Sequence, residues 1–328
     1  MSILVTGGAG YIGSHAVLRL IDQGERVVVL DNLSTGNRAL VAPAARFVQG
    51  DFGDFGLVSE IIAREQVDGV MHFAGSIVVP ESVADPLAYY ENNTSKTRTL
   101  LQACVNAKVR AFIFSSTAAV YGAPAIESVN EKTPLHPINP YGRSKLMVEW
   151  MLEDVGHAHG LPYMALRYFN VAGADPKGRS GQATPRATHL IKVACEVATG
   201  KRDGMEIFGT DYPTRDGTCI RDYIHVADLI EAHVQALSAL RAGKPSGAFN
   251  CGYGRGYTVL EVVHAVENAA GHAIQTKRSD RRPGDPPILI AQADAIRAQL
   301  GWHPQHEDLG AIVKSALDWE RRMPQPSA

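Results

Sequence analysis

The first half of the chain alternates short, continuous apolar runs with longer stretches in which apolar residues recur at helical spacing. The pattern predicts strands at residues 3–5, 27–30, 46–49, 69–73, 111–114 and 163–167, and helices at 13–23, 56–65, 86–106 and 141–159. Continuous apolar strands separated by helices indicate a parallel sheet that is covered on both faces. The predicted fold class is therefore α/β, with a Rossmann-type doubly wound parallel sheet that binds ligands at the carboxyl ends of its strands.

The second half of the chain has a less regular pattern. Residues 173–181 are rich in glycine, proline and charge, which is typical of a loop. Helices and short strands then mix, as in a smaller α+β domain. The segment 222–240, followed by 248–250, predicts one more helix and strand that return to the large sheet. We expect a Rossmann domain at 1–172, joined by 222–252, and a substrate-binding domain that occupies mainly 173–328.

Composition narrows the class of protein without identifying a function. Of the 328 residues 45% are hydrophobic and 20% charged, as in an ordinary globular protein, and the formal net charge is −2. That charge gives no indication of a nucleic-acid or anionic-membrane surface. No apolar run is long enough to span a bilayer, and the first strand begins too early to leave room for a signal peptide, so we expect a cytoplasmic protein. The cysteines are far apart and fit neither a disulfide framework nor a zinc site, so we expect reduced thiols and no metal: Cys104, Cys195, Cys219 and Cys251.

Three glycines, Gly7, Gly10 and Gly13, follow the first strand and open the first helix. Glycines at this spacing let the turn tighten, the backbone approach a pyrophosphate and the helix pack on the sheet, with the phosphates at the helix N-terminus. Asp31 ends the second strand, where a carboxylate binds both ribose hydroxyls and repels a 2′-phosphate. The sequence therefore predicts NAD in preference to NADP, with Asp51, after the third strand, placed to reach the adenine amino group.

Tyr141 and Lys145 lie four residues apart and so share one face of a helix. Asn139 and Pro140 predict an N-cap followed by proline at the first helical position, which puts Tyr141 in the first turn. A lysine ammonium and the helix dipole both favour the phenolate, so we expect the pKa of Tyr141 to fall from about 10 toward working pH. The phenol would then take a proton from a secondary alcohol while the dinucleotide accepts the hydride.

Further segments carry a resemblance to known proteins. In the first half they are VTGGAGYIGSH (5–15), LDNL (30–33), HFAG (72–75), YYENN (89–93), FSSTAAVYG (114–122), NPYGRSK (139–145) and LRYFNVAG (166–173). In the second half they are IFGTDYPT (207–214), DGT (216–218), RDYIHV (221–226) and RRPGD (281–285). On these segments the chain resembles the extended short-chain dehydrogenase/reductase family and, within it, the UDP-glucose 4-epimerases along nearly the full length. The DYPT and RDYIHV segments are the most specific to the epimerases.

The resemblance implies an isomerase that interconverts UDP-galactose and UDP-glucose at C4, with tightly bound NAD and a 4-keto intermediate. Tyr141 would take the O4 proton, Lys145 would bind the nicotinamide ribose and tune Tyr141, and Thr117 would bridge the O4 hydroxyl to the tyrosine. The implied cofactor-binding residues are Gly7, Gly10, Tyr11, Ile12, Gly13, Asp31, Asn32, Asp51, Phe52, Phe73, Ala74, Asn92, Ser115, Tyr141, Lys145 and Tyr168. The implied substrate-binding residues are Thr117, Tyr141, Phe169, Asn170, His189, Leu190, Ile207, Phe208, Arg221, Arg282, Asp285 and Leu289.

Three positions depart from the family pattern or vary within it. Ile77 stands where a lysine is often found, which leaves fewer positive charges near the cofactor phosphates. His189 stands where an asparagine can occur, and either side chain can donate to a phosphate. Leu289 lies at the position whose size gates the sugar pocket, between a tyrosine that excludes an N-acetyl group and small residues that admit it. Epimerisation of UDP-N-acetyl-hexosamines or UDP-uronic acids therefore stays open.

Two other classes of function fit the residues less well. A nucleotide-sugar 4,6-dehydratase needs an extra acid/base pair after the active-site threonine, where this chain has Ala118 and Ala119. A non-enzymatic NAD sensor would have no need of Thr117, Tyr141 and Lys145 together. For partners, the resemblance implies a UDP-hexose substrate and a homodimer, with neither nucleic acid nor membrane.

Overall fold

The computed structural model describes residues 1–185, 187–282 and 285–324, so Pro283 and Gly284 of the RRPGD segment lie outside the described residues. The strands are β1 (Ser2–Thr6), β2 (Val27–Asp31), β3 (Arg46–Gln49), β4 (Val67–His72), β5 (Ala111–Ser115), β6 (Ser128–Val129), β7 (Tyr163–Tyr168), β8 (Asn170–Ala172), β9 (Met205–Phe208), β10 (Ile220–His225), β11 (Gly247–Cys251), β12 (Gly256–Thr258), β13 (Thr276–Ser279) and β14 (Ile288–Ala291). The α-helices are α1 (Tyr11–Asp22), α2 (Phe55–Glu65), α3 (Val79–Ala84), α4 (Pro86–Tyr89), α5 (Lys96–Asn106), α6 (Pro140–His159), α7 (Leu190–Ala198), α8 (Val226–Arg241), α9 (Val259–Ala270), α10 (Asp294–Leu300) and α11 (Leu309–Arg322). Turns of 3₁₀-helix lie at Arg38–Leu40 and Ala118–Tyr121, and a π-helical turn lies at Tyr90–Ser95.

A seven-stranded parallel sheet, in the order β3-β2-β1-β4-β5-β7-β11, organises the first half of the chain. Side chains alternate across β1, so that Ile3 and Val5 join the core formed with α1 and α8, whereas Leu4 joins the core formed with α2 and α5. Both faces of the strand are buried, which is why it is apolar at every position. The predicted doubly wound α/β fold class is confirmed.

The chain returns to this sheet through α8 and β11, where Phe249 lies opposite Leu166 of β7. The helix predicted at 222–240 is wrong at its start, because residues 222–225 belong to β10 and the helix begins at Val226. β10 pairs with β8, β12 and β14, and these long-range hydrogen bonds hold the segment extended. The single helix predicted at 86–106 is divided by the π-helical turn Tyr90–Ser95.

A second sheet has the order β12-β10-β14-β6, with β8 also paired to β10. Only Phe169 separates β7 from β8, so this second sheet begins at the carboxyl edge of the first. β9 and β13 form a separate parallel pair. The second half of the chain therefore stands at the edge where a doubly wound sheet binds its ligands.

Across the described parts of the chain, no helix combines the length and the apolar character that crossing a membrane requires. The four cysteines are buried free thiols.

Candidate active site

The loop between β1 and α1 forms a cradle of backbone in which two glycines leave no room for a side chain. Gly7 has a φ of +71°, and a Cβ there would lie 2.6 Å from the backbone nitrogen of Ala74. A Cβ on Gly13 would lie 2.2 Å from the carbonyl oxygen of Gly7. Helix α1 starts from Gly10 with no side-chain cap and with no acidic residue in its first turn. Its N-terminus is therefore suited to an anion such as a pyrophosphate.

Carboxylates follow β2 and β3 beside this cradle. The Asp31 carboxylate is buried and accepts hydrogen bonds from the backbone N–H groups of Ala9 at 2.9 Å and Leu33 at 2.8 Å. Asp51 accepts a hydrogen bond from the Lys96 ammonium at 2.6 Å. Burial raises the pKa of Asp51, but the hydrogen bonds from Lys96 and the Gly53 N–H outweigh burial and lower that pKa below its ordinary value. Both aspartates therefore present their carboxyl groups at the same edge of the sheet.

The remaining predicted cofactor residues lie at neighbouring strand ends. Phe52 is buried and its ring lies 4.9 Å from the imidazole of His72, at the end of β4. Phe73 and Ala74 follow β4 directly. The Asn92 amide, on the π-helical turn, donates to the Ser76 hydroxyl at 2.9 Å, which fixes the loop after Ala74. Asn32 is exposed, and its side chain accepts from the Ser34 N–H at 3.0 Å.

Helix α6 presents the Tyr141 phenol to the end of β5. Asn139 caps the helix by accepting a hydrogen bond from the Gly142 N–H at 2.9 Å, and Pro140 occupies the first helical position, as the sequence predicted. Tyr141 is buried, and Thr117 lies near enough to influence the pKa of its phenol. One turn along the helix, the Lys145 ammonium donates to the carbonyl oxygen of Ser115 at 3.0 Å. The structure thus brings together the three side chains predicted to be catalytic.

Burial dominates the electrostatics of this cluster. It raises the pKa of Tyr141 above its ordinary value, against a smaller lowering by the Thr117 side chain, and it lowers the pKa of Lys145 from 10.5 to about 8. The sequence predicted a lowered pKa for Tyr141, and the structure contradicts that prediction, because removal of the phenol from water penalises the phenolate. Tyr168 and Tyr89 lie near enough to Tyr141 for a charge on its phenol to raise their own pKa values. Tyr168 shares a short hydroxyl–hydroxyl hydrogen bond with Ser115.

Two arginines and an aspartate converge beyond the end of β9. Arg221 Nη2 lies 3.6 Å from Asp285 Oδ1, and Arg282 Nε lies 3.7 Å from Asp285 Oδ2. The Arg282 guanidinium also stacks over the ring of Phe208, 4.2 Å from its centroid. Ile207, next to Phe208 on β9, is buried. A pair of guanidinium groups held in this way is a suitable receptor for a pyrophosphate.

A pocket near the start of α7 contains three more predicted residues, Asn170, His189 and Leu190, in its lining. The Asn170 amide donates to the carbonyl oxygen of Asp222 at 3.1 Å. His189 precedes α7, its imidazole lies 2.9 Å from the Gln182 amide, and burial lowers its pKa. Leu190 is the first residue of α7.

Leu289 lies on β14 directly opposite Arg221 of β10, its partner in the strand register. Its side chain is buried in a small apolar cluster with Phe169, Tyr121 and Leu146. Leu146 follows Lys145 on α6, so Leu289 lies between helix α6 and Arg221. This position is compatible with packing and with contact to a bound sugar.

The family follows from comparison with known sequences. The profile of the NAD dependent epimerase/dehydratase family matches residues 3–252. The chain belongs to this family. The resemblance inferred from the sequence motifs is therefore confirmed, and the glycine cradle lies within the matched part.

Relatives of this family member match it over nearly the whole chain. A UDP-glucose 4-epimerase of Azospirillum brasilense is 58% identical over 323 residues, which are 98% of this chain and 93% of the relative. The crystal structure of a UDP-glucose 4-epimerase from Brucella ovis in complex with NAD is 44% identical, covers 98% of each chain and superposes with a TM-score of 0.95. The structure of the UDP-Glc/GlcNAc 4-epimerase from Campylobacter jejuni is 48% identical, covers 98% of this chain and 99% of its own, and has a TM-score of 0.85.

Sequence reasoning missed the polar side chains that hold the predicted residues in place. Lys96 pairs with Asp51, and Asn93 binds the backbone of Ser76 through both ends of its amide. Glu149, one helical turn beyond Lys145, and Arg167 form a buried ion pair. A sequence signal existed for Glu149, which continues the four-residue spacing of Tyr141 and Lys145.

Proposed function

We propose that this family member catalyses the reversible C4 epimerisation of UDP-galactose and UDP-glucose, with NAD as its cofactor. The observation that carries the proposal is the placement of the buried Tyr141 phenol near Thr117, one helical turn from Lys145, at the sheet edge that also holds the glycine cradle. The sequence predicted an NAD-dependent isomerase of this kind, and the named relatives and the NAD-bound neighbour confirm the activity and the cofactor.

Residues of this chain handle the proton in the proposed reaction. Tyr141 accepts the proton of the sugar O4 hydroxyl, with Thr117 as the bridge, and returns it after the sugar has turned over. Because burial opposes the phenolate, Lys145 must supply nearby positive charge when Tyr141 ionises. Bound NAD supplies the group that takes the hydride from C4 and gives it back to the opposite face. The sugar passes through a 4-keto intermediate. The proton returns to O4 and the hydride returns to C4, so substrate and product contain the same atoms.

The cradle and the strand ends are proposed to bind NAD. Gly7, Gly10, Tyr11, Ile12 and Gly13 would hold the pyrophosphate on the α1 N-terminus. The ribose and adenine would lie against Asp31, Asn32, Asp51 and Phe52. The nicotinamide half would contact Phe73, Ala74, Asn92, Ser115, Tyr141, Lys145 and Tyr168.

The arginine pair is proposed to anchor the UDP. Arg221 and Arg282 would bind its pyrophosphate, and Asp285, which pairs with both guanidinium groups, would hold them in place. The other proposed substrate contacts are Phe169, Asn170, His189, Leu190, Ile207, Phe208 and Leu289. Anchoring through the UDP leaves the hexose free to rotate between its two faces, as an epimerase requires.

UDP-N-acetyl-hexosamines are a second candidate substrate class. Leu289 is smaller than the tyrosine that excludes an N-acetyl group, and it lies in the wall between α6 and Arg221. The similarity to the UDP-Glc/GlcNAc 4-epimerase of Campylobacter jejuni favours a substrate range that includes N-acetylated sugars. A 4,6-dehydratase is disfavoured, because Ala118 and Ala119 open the 3₁₀ turn after Thr117 and neither can transfer a proton.

We propose that the enzyme is a cytoplasmic homodimer, with an NAD-binding domain at 1–172 plus 222–252 and a nucleotide-sugar-binding domain mainly at 173–328.

The proposed dimer surface lies on three helices. Helices α3 and α4 both pack on α6, and each of the three exposes a large apolar side chain. Val83 is 64% exposed, Leu87 is 77% exposed and Trp150 is 54% exposed. A second copy that covers these helices would bury them. Light scattering should give twice the chain mass, and Trp150→Glu should shift it toward the monomer.

The test of the activity is to incubate the purified protein with UDP-galactose, without added NAD, and to measure UDP-glucose. Formation of UDP-glucose without net NADH is expected from an epimerase that retains its cofactor. If activity appears only when NAD is added, the cofactor exchanges freely, which Ile77 in place of a lysine would explain. Absence of product under both conditions would contradict this choice of substrate.

A further inference from the structure

Helix α6 carries a third buried polar residue on its catalytic face. Tyr141, Lys145 and Glu149 follow one another at intervals of four residues, so they lie along one side of the helix. All three side chains are buried. Tyr141 and Lys145 have roles in the proposed reaction, whereas Glu149 lies one turn beyond them.

The Glu149 carboxylate is held by Arg167 of β7 in a two-pronged ion pair. Arg167 Nε donates to Glu149 Oε1 at 3.0 Å and Oε2 at 3.1 Å, and Arg167 Nη2 donates to Oε2 at 2.6 Å. The guanidinium is fixed from its other side, because Nη1 donates to the Tyr121 hydroxyl at 3.1 Å, and that hydroxyl donates to Asn250 Oδ1 of β11 at 2.7 Å. The ion pair therefore joins α6 rigidly to the two strands β7 and β11.

The same carboxylate also binds the loop that carries the catalytic threonine. The Ser116 hydroxyl donates a short hydrogen bond to Glu149 Oε1. Ser116 is fully buried, between Ser115, whose carbonyl accepts from Lys145, and Thr117, which lies near Tyr141. Glu149 thus connects the helix that presents Tyr141 with the loop that presents Thr117.

A buried ion pair is weak evidence for stability, because desolvation of two charges offsets much of their attraction. The fixed geometry of the Glu149–Arg167 pair explains its position, one helical turn from Lys145 and bonded to Ser116, better than a contribution to stability does. We propose that Glu149 is a positioning residue: its carboxylate, fixed by Arg167, holds Ser116 and thereby sets the position of Thr117 relative to Tyr141. This inference rests on the proposed function only in taking Tyr141 and Thr117 as the reacting pair.

The first variant is Ser116→Ala, which removes the hydroxyl that binds Glu149 and leaves the Glu149–Arg167 ion pair intact. We expect kcat for UDP-galactose to fall by about 10- to 100-fold, the scale that a small misplacement of catalytic groups produces, with little change in KM or retained NAD. The matched control is Ser2→Ala, because Ser2 is also fully buried and its hydroxyl donates to the Glu65 carbonyl at 2.7 Å, at the opposite edge of the sheet. The control should keep the wild-type kcat.

Two further readouts separate positioning from a structural role. If Ser116 acts through Thr117, the losses in kcat of Ser116→Ala and Thr117→Val will not multiply in the double variant. The pKa of the Tyr141 phenol, followed by ultraviolet titration against Tyr141→Phe, should rise in Ser116→Ala, because the neighbouring Thr117 side chain lowers it. Wild-type kcat in Ser116→Ala, multiplying losses, or an unchanged Tyr141 pKa would each overturn the proposal.

A paired replacement guards against misfolding of single variants at the ion pair. Glu149→Met combined with Arg167→Leu replaces both charges by apolar groups, a change that buried ion pairs often tolerate. We expect this double variant to fold and retain NAD but to lose kcat as Ser116→Ala does; full turnover would refute the positioning role. The proposed epimerase activity and the positioning role of Glu149 can fail independently. A wild-type protein that converts no UDP-galactose would contradict the activity. The Tyr141 titration would still test whether Glu149 and Ser116 position Thr117.

Discussion

The hydroxyl of Tyr11, in the first turn of α1, donates a 2.7 Å hydrogen bond to the carbonyl oxygen of Gly173, just beyond β8. The hydroxyls of Ser14 and Ser180 form a second contact between the same two segments, also at 2.7 Å. The helix end proposed to bind the cofactor phosphates is thereby joined to the loop that leads toward His189 and Leu190. The proposed cofactor and UDP sites therefore share this buried connection.

We predict that Tyr11→Phe weakens both halves of the site. Loss of the buried hydrogen bond leaves the Gly173 carbonyl without its donor and should lower the free energy of unfolding by about 1–3 kcal/mol. NAD should be released more readily, and KM for the UDP-sugar should rise. Urea unfolding and the NAD content after gel filtration measure these effects. Tyr163→Phe, at the amino end of β7, is the control and should leave both unchanged.

Tyr141→Phe should abolish proton transfer while the cofactor stays bound. General acid–base groups contribute about 10²–10⁴-fold, so kcat for UDP-galactose should fall by at least that range. The ring remains to fill its buried position, so stability and NAD content should be close to wild type. Steady-state assays together with the absorbance of bound NAD check both parts. Retention of full activity would remove Tyr141 from the mechanism.

The lowered pKa of Lys145 gives opposite pH dependences for activity and stability. Because burial lowers this pKa from 10.5 to about 8, the ammonium that supports Tyr141 is lost as pH rises through 8, and kcat should fall there. Between pH 8 and 10.5 Lys145 is protonated more fully in the unfolded state than in the folded state. The contribution of Lys145 to the free energy of unfolding therefore increases with pH over that window. Comparison of wild type with Lys145→Met in denaturation across this pH range isolates the effect. A difference between the two proteins that does not vary with pH would contradict it.

Leu289→Tyr should restrict the sugar pocket. The larger side chain, opposite Arg221, should reduce turnover of UDP-N-acetylglucosamine far more than turnover of UDP-galactose. A single side chain in a pocket discriminates by about 1–3 kcal/mol, or about 10- to 200-fold in kcat/KM. Ile288→Tyr, whose side chain alternates to the other face of β14, is the control. An unchanged ratio of the two activities in Leu289→Tyr would exclude Leu289 from the gate.

Local spacing accounts for the part of the site that the sequence could predict. The glycine cradle, the Asn139 cap and the Tyr141–Lys145 pair each depend on residues within a few positions of one another. The pairing of β10, by contrast, depends on β8, β12 and β14, which are distant in sequence, so a helix was wrongly predicted to start at residue 222. The direction of the Tyr141 pKa shift was wrong for a similar reason, because desolvation depends on how completely the folded chain buries the phenol.

In the proposed reaction the hydride removed from C4 returns to C4 of the same sugar, within the site formed by Tyr141, Thr117 and Lys145. The most direct test is to incubate the protein with UDP-galactose deuterated at C4 and to locate the label in the product by NMR. The account predicts UDP-glucose that retains deuterium at C4, with no net NADH formed. UDP-glucose without deuterium at C4, or label released into water, would contradict it.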